Sequence, residues 1–280
     1  MSYNLKDGSY TVGGYEQSVT DRKNGLAKTV ALRNPGIVCL QESKDLKADT
    51  FASACRSAGT PEYATYQAAG GTTAVMWASS VYEKIASGSI DCTIAEGDGG
   101  DGYTRICTWV RLRRIMDGKE FYVVSAHFDL AKPKNSAEKL IAYLNANFGE
   151  LPVIVAGDFN ADETIITVRN RFKDADFANA NKPFLDVLDA NPNLTAYPGY
   201  WNHEDDGYPG DYGLQTTFPK KGTILDWCYY KKAAFQLQTY EVITEEVQWS
   251  LSNLYTLFQT RTITGYPSDH LPVYVELTFA

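Results

Sequence analysis

The 280-residue sequence has little histidine, three residues in all, and only three methionines. Its five cysteines are an odd number at low density, which excludes the disulfide-dense scaffolds of small secreted domains. Positive charge is also short: 26 Lys and Arg stand against 34 Asp and Glu, for a net charge of −8 and a pI near 5.0. That balance argues against a broad basic face that holds nucleic acid by neutralising phosphates. It leaves room for a phosphoester substrate, because a divalent metal can supply positive charge locally. No apolar run approaches the ~18 residues of a membrane-spanning helix. The longest, Phe121–Val124 and Val153–Ala156, are strand-sized. Internal repeats, low-complexity tracts and linkers are absent as well.

What is present suffices for a large core: 44% hydrophobic and 13% aromatic residues, with 21% charged. A disordered or fibrous chain is excluded. The length matches about two average domains, yet sandwiches and barrels often use it as one. Without a linker, the expectation is one domain over 1–280. No positively charged segment followed by an apolar stretch opens the chain. Met1–Leu5 instead reads as the tail of a strand with no lead-in, which favours removal of upstream residues and export over a cytoplasmic protein. Cys39, Cys107 and Cys228 lie in strand-like apolar runs and are read as small buried hydrophobes, while Cys55 and Cys92 remain open to pairing.

Short strands alternate with loops and a few helices. Residues 20–33 read as a helix ending at Asn34-Pro35, and 36–40 as a buried strand. Residues 49–57 predict a second helix and 73–78 another strand. Residues 108–114 and 120–127, joined through Asp117-Gly118, predict an antiparallel hairpin. Asn135 or Ser136 is expected to cap a helix carrying Leu140, Leu144 and Phe148 on one face. Strands follow at 151–156, 224–230 and 271–277. This pattern fits an α+β chain with an antiparallel two-sheet core flanked by helices.

Acidic, amide and imidazole groups recur at the ends of these strands: Glu42, His127, Asp158 with Asn160, Asp226, and Asp269-His270. A strand end is a rigid base from which a side chain enters a cleft. One such Asp is an ordinary turn former, but a whole series at strand ends is hard to assign to turns. Two of the three histidines belong to it.

Asn4, Gln41-Glu42, Ser125-Ala126-His127, Gly157-Asp158-Phe159-Asn160, Ile224-Leu225-Asp226 and Ser268-Asp269-His270, in this order, resemble the motif series of the endonuclease/exonuclease/phosphatase (DNase I-like) superfamily. The resemblance runs from residue 4 to residue 270. It implies a four-layered α/β/β/α sandwich with the site at one end, and phosphoester hydrolysis assisted by Mg2+ or Mn2+. By the same resemblance Glu42 is the main metal ligand, with Asn4 and Asp269 close to the ion, a donor set suited to a hard cation. Asp158 orients or deprotonates the attacking water. Asn160 holds a phosphate oxygen or the Asp158 carboxylate. His270, oriented by Asp226, is a general base or a hydrogen-bond donor to the transition state. His127 faces the phosphate near the leaving group, and Arg105 contacts it. The metal neutralises an oxygen of an already anionic ester, while imidazoles and arginine stabilise developing charge.

The sequence also departs from branches of the superfamily. Lys6 follows Asn4, and residues 72–75 carry hydroxyls and no carboxylate. The extended tryptophan-containing motif and the proline–cysteine–arginine element of inositol phosphatases are missing. Asp129, in His127-Phe128-Asp129, either supports the site or caps the next loop. The Asp/Gly-rich stretch 96–102 lacks the spacing of a calcium loop and is read as solvated. An aromatic insertion at 192–219, with Tyr197, Tyr200, Trp201 and Tyr208, packs on itself or forms a platform, and Asn193-Leu194-Thr195 is a glycosylation sequon. The substrate remains open between nucleic acid, a small phosphate ester and a lipid head group. The reading from another class is a non-catalytic binding or assembly module, which predicts an eroded motif; none is eroded.

Overall fold

The computed structural model describes residues 1–12, 14–162, 164–182, 224–252 and 260–280. The aromatic insertion at 192–219 and its sequon lie outside the described residues.

Two six-stranded sheets stack face to face. The first is built from β1 (Ser2–Asn4), β4 (Ile37–Gln41), β5 (Tyr63–Gln67), β6 (Ala74–Ala78), β13 (Phe235–Val242) and β16 (Val273–Phe279), in the order β13-β16-β1-β4-β6-β5. The second contains β7 (Tyr82–Asp91), β8 (Ile106–Arg114), β9 (Glu120–His127), β10 (Val153–Asp158), β11 (Phe177–Asn179) and β12 (Asp226–Lys231), in the order β11-β12-β10-β9-β8-β7. Each is antiparallel apart from one central parallel pair, β1 with β4 and β9 with β10. Two hairpins stand apart: β2 (Ser9–Val12) with β3 (Tyr15–Ser18), and β14 (Val247–Ser252) with β15 (Thr260–Gly265).

Strand periodicity sorts the core into layers, since alternate residues face opposite sides. On β9, Phe121 and Val123 point between the sheets, where they meet Cys39, Val75 and Trp77 of the first sheet. Tyr122, Val124 and Ala126 of the same strand point outward, against Leu140 and Leu144 of α3 (Pro133–Asn147) and Val168 and Phe172 of α4 (Ile166–Asp174). On β4, Cys39 faces inward while Val38 and Leu40 pack on α1 (Val19–Ala31) and α2 (Ala48–Ser57). Each fully buried aliphatic or aromatic side chain contributes about 1.5–3 kcal/mol. The result is the helix–sheet–sheet–helix sandwich that the residue pattern and the resemblance implied.

Two local expectations are corrected. α3 begins at Pro133 with no side-chain cap, so neither Asn135 nor Ser136 caps it. Proline is preorganised for a first helical position, and the Ser136 hydroxyl is spent instead on the Cys92 carbonyl (3.0 Å) and the Asp129 N–H (3.2 Å). Cys55 and Cys92 are not partners: Cys55 lies on α2, packed against the first sheet, and Cys92 in the layer under α3. All five cysteines are buried free thiols.

Candidate active site

The register of the two parallel pairs assembles the site. Asn4, the last residue of β1, lies beside Gln41, so Glu42 emerges next to it. Asp158, the last residue of β10, has His127 on one side and Asp226 on the other. Gly157 makes this register attainable, because a Cβ there would lie 1.9 Å from the Ala126 carbonyl oxygen. Between the sheets, Gln41 Nε2 donates to Ser125 Oγ (3.0 Å), which donates to the Leu40 carbonyl (2.8 Å), tying one set of strand ends to the other.

The side chains converge on the buried Asp158 carboxylate. Its Oδ1 accepts the Asn160 N–H (2.9 Å) and its Oδ2 accepts Asn4 Nδ2 (3.0 Å). His127 Nε2 is 3.5 Å and His270 Nε2 3.7 Å from Oδ2. Asn4 Nδ2 also donates to Glu42 Oε1 (3.0 Å), whose Oε2 accepts the Asp7 N–H (3.0 Å). Glu42 (φ 52°) and Asn160 (φ 47°) both sit in the left-handed region, which costs a non-glycine residue about 1 kcal/mol or more and is tolerated where surrounding contacts enforce it. Asn160 therefore holds Asp158 through its backbone, while its Nδ2 donates to the Phe128 carbonyl (2.9 Å).

The two histidines are held in different charge states. Burial pushes the His270 imidazole down, but the Asp226 carboxylate 2.8 Å from its Nδ1, aided by Asp158 and Asp269, overrides this and raises its pKa to about 10. His270 is thus an imidazolium at neutral pH, which favours the donor role over the general-base role. Burial lowers the His127 pKa in spite of Asp158, with Arg105 and His270 adding to the fall, so this ring is neutral. Asp158 is held below the usual carboxylate range: burial raises it, and His127, His270 and the Asn160 and Asn4 donors outweigh that.

Arg105, just before β8, is only 12% exposed and lines the same cleft. Its Nη2 donates to Asp101 Oδ2 at 2.5 Å. The expectation of a solvated 96–102 stretch holds for Glu96–Asp98 and fails at Asp101, which is 8% exposed. Asp101 also accepts the N–H groups of Tyr103 (3.0 Å) and Leu130 (2.9 Å), and its own N–H donates to Asp129 Oδ2 (3.0 Å). Asp129, fully buried, accepts the Ala131 and Lys132 N–H groups, so it caps its loop. Tyr103 and Leu130, 69% and 61% exposed, stand at the mouth of the cleft. The cleft encloses about 980 Å³.

Among the described residues Glu42, His127 and Asp158 each offer a ligand atom within 4.8 Å of one another, a fit for a divalent cation. Of the ligands expected from sequence, Glu42 belongs to this group. Asn4 lies beside it with its amide nitrogen facing the carboxylates, because its Oδ1 accepts the Lys6 N–H (2.9 Å). Asp269 is outside the group and pairs with Lys6 Nζ at 3.7 Å, while its Oδ1 is buried without a hydrogen-bond partner.

Two further contributors carry no sequence signal of their own. Arg22, fully buried on α1, donates to the carbonyls of Leu5 (3.1 Å), Pro267, Lys6 and Gly8, and so clamps the segments bearing Asn4 and Asp269. The Asp7 carboxylate accepts the Lys44 and Asp45 N–H groups (3.1 Å each), tying β1 to the segment after Glu42.

The sequence profile described as the Endonuclease/Exonuclease/phosphatase family matches residues 1–270. No curated protein matches the sequence significantly. Similar solved structures include the mannosyl-6-phosphatase Bt3783 of Bacteroides thetaiotaomicron, 19% identical with a TM-score of 0.67, covering 99% of this chain and 98% of that one. The human Nocturnin catalytic domain with bound sulfate is 20% identical with a TM-score of 0.59, over 93% and 87%. D. rerio TDP2 complexed with single strand DNA product is 16% identical with a TM-score of 0.56, over 92% of each. The chain belongs to the endonuclease/exonuclease/phosphatase family, and these likenesses bear out the sandwich fold.

Proposed function

We propose that this member of the endonuclease/exonuclease/phosphatase family is a divalent-metal-dependent phosphoester hydrolase, acting as a phosphodiesterase of the nuclease type. The observation that carries this reading is the convergence of Asn4, His127, Asn160 and His270 on one buried carboxylate, Asp158, at a cleft also lined by Glu42 and Arg105.

Glu42, with Asp158 and His127 of the same cluster and Asp269 nearby, would hold Mg2+ or Mn2+. A cation bound there would supply positive charge to a phosphate oxygen and lower the pKa of water. The chain's own groups do the rest. Asp158, ionised, orients the attacking water and accepts its hydrogen bond as the oxygen approaches phosphorus. His270, charged and fixed by Asp226, donates from Nε2 to an oxygen on which negative charge grows. Arg105 binds a second phosphate oxygen. His127, neutral, stands near the departing oxygen, and Asn160 holds the Asp158 carboxylate through its backbone N–H.

The test is turnover on supercoiled plasmid DNA with Mg2+, Mn2+ or a chelator, alongside Asp158→Asn and Asp269→Ala. Metal-dependent nicking that both variants lose supports the reading. A second reading, a phosphomonoesterase acting on sugar phosphates, draws support from the near end-to-end likeness to a mannosyl-6-phosphatase. Phosphate release from mannose 6-phosphate with plasmid left intact would favour it. Silence on both and on lipid head groups would favour a non-catalytic module.

A further inference from the structure

Cys92 and Cys107 stand out among the five thiols. Their sulfurs are 3.5 Å apart, both side chains are fully buried, and they meet across neighbouring strands. Cys107 on β8 is opposite Ile90 of β7, and the Cys92 N–H donates to the Arg105 carbonyl at 2.8 Å, so the two cysteines are diagonal neighbours on one face. Diagonal pairs are within reach of each other across a ladder. A disulfide requires the sulfurs to close by roughly 1.5 Å, to a bond of about 2.05 Å.

We propose that Cys92 and Cys107 form a cross-strand disulfide when the protein folds under oxidising conditions, and that it staples the segment bearing the phosphate-contacting arginine. The residues between them, 93–106, include Tyr103 and Arg105, which line one wall of the cleft, and Asp101, which bonds to both. At present the base of that segment is held by the Cys92–Arg105 backbone bond and by the Arg105 N–H donating to Thr93 Oγ1 (2.9 Å). A covalent bond there shortens the loop that must be ordered whenever the wall forms, which is the source of a disulfide's stabilisation in the chain-entropy account.

The chemistry closes with a disulfide oxidant such as oxidised glutathione. The Cys92 thiolate attacks one glutathione sulfur, breaking that S–S bond and releasing a glutathione thiolate. The Cys107 thiolate then attacks the mixed disulfide and releases the second. Two protein thiols are oxidised, one glutathione disulfide is reduced, and the two thiol protons go to water or to the departing thiolates. The folded interior resists this, since the adjoining Cys107 and burial hold Cys92 protonated. Access comes during folding, or when β7 opens, because β7 is the outermost strand of its sheet.

The experiment is to unfold the full chain, refold it with a reduced/oxidised glutathione mixture or with dithiothreitol, alkylate free thiols and map tryptic peptides. The expected product links residues 85–105 to 106–111, leaves Cys39, Cys55 and Cys228 alkylated, and raises Tm by about 5 °C over the reduced form. Slower amide exchange over 93–105 is expected as well. Cys107→Ala should abolish both the link and the shift, whereas Cys55→Ala should leave both intact. If refolding fails, protein secreted into an oxidising compartment is mapped the same way. Alkylation of all five thiols, a link between any other pair, or a link that leaves Tm and exchange unchanged overturns the proposal. None of these readouts depends on activity, so they stand apart from the assignment of the reaction.

Discussion

The cleft has two kinds of wall. One is carried by β-ladders: His127 and Asp158 line it from strand ends, with Asn4 and Asp226 buried beside them, all in places set by register. The other is carried by loops, where Arg105, Tyr103 and Leu130 are placed by hydrogen bonds to a single carboxylate, Asp101. Ladder-borne groups inherit the rigidity of two sheets, so their geometry survives the loss of any one side chain. Loop-borne groups have no such support, and their geometry depends on one hub. The same charge chemistry thus has different vulnerabilities in the two walls.

The largest expected effect lies on the ladder side. Asp158→Asn should lower kcat/KM by about 10³–10⁴-fold, or about 4–5.5 kcal/mol, with the fold intact by circular dichroism. A loss below tenfold in steady-state assays would remove Asp158 from the centre of the mechanism. Gly157→Ala comes next, this time in stability. A Cβ meeting the Ala126 carbonyl at 1.9 Å forces β9 and β10 apart, for an expected cost of about 3 kcal/mol or more in denaturant unfolding.

On the loop side, Asp101→Asn and Arg105→Ala should each cost about 10–100-fold in kcat/KM, mostly through KM. Their double mutant should be little worse than Arg105→Ala alone, since Asp101 acts through the arginine. Additive losses would mean that the two residues work separately. The smallest effect separates the histidines. The His270 pKa is raised when folded, so its stabilisation is fully present below about pH 6.5 and is lost as pH rises toward about 10. In metal-free protein with chelator, unfolding free energy should fall as pH rises through that window, and His270→Gln should flatten the decline.

The ladder wall was far more legible in the sequence than the loop wall. Strand ends read from local patterning placed Glu42, His127, Asp158, Asp226 and His270 in the site, because period-two alternation and the motif order are properties of short segments. Asp101 was read as solvated, since a run of Asp and Gly gives no sign that one of its carboxylates will be buried against Leu130 and Arg105. The helix cap failed for a related reason: Ser136 has the right side chain, but tertiary neighbours claim its hydroxyl. Asn160 was recognised as part of the site while the group that holds Asp158, its backbone N–H, was not.

Local sequence by itself determined the strands and helices that alternate along the chain, the residue types available for phosphoester chemistry and the motif order that marks the family. Tertiary structure alone decided which histidine is charged. Both are buried imidazoles near Asp158, yet among the described residues it is His270 that has a second carboxylate, Asp226, at hydrogen-bonding distance. It also decided the pairing of the Arg105 wall with Asp101, the clamp by Arg22 and the contact between Cys92 and Cys107. Each of these depends on distances between segments, and an electrostatic or covalent interaction acts through distance in space rather than separation along the chain.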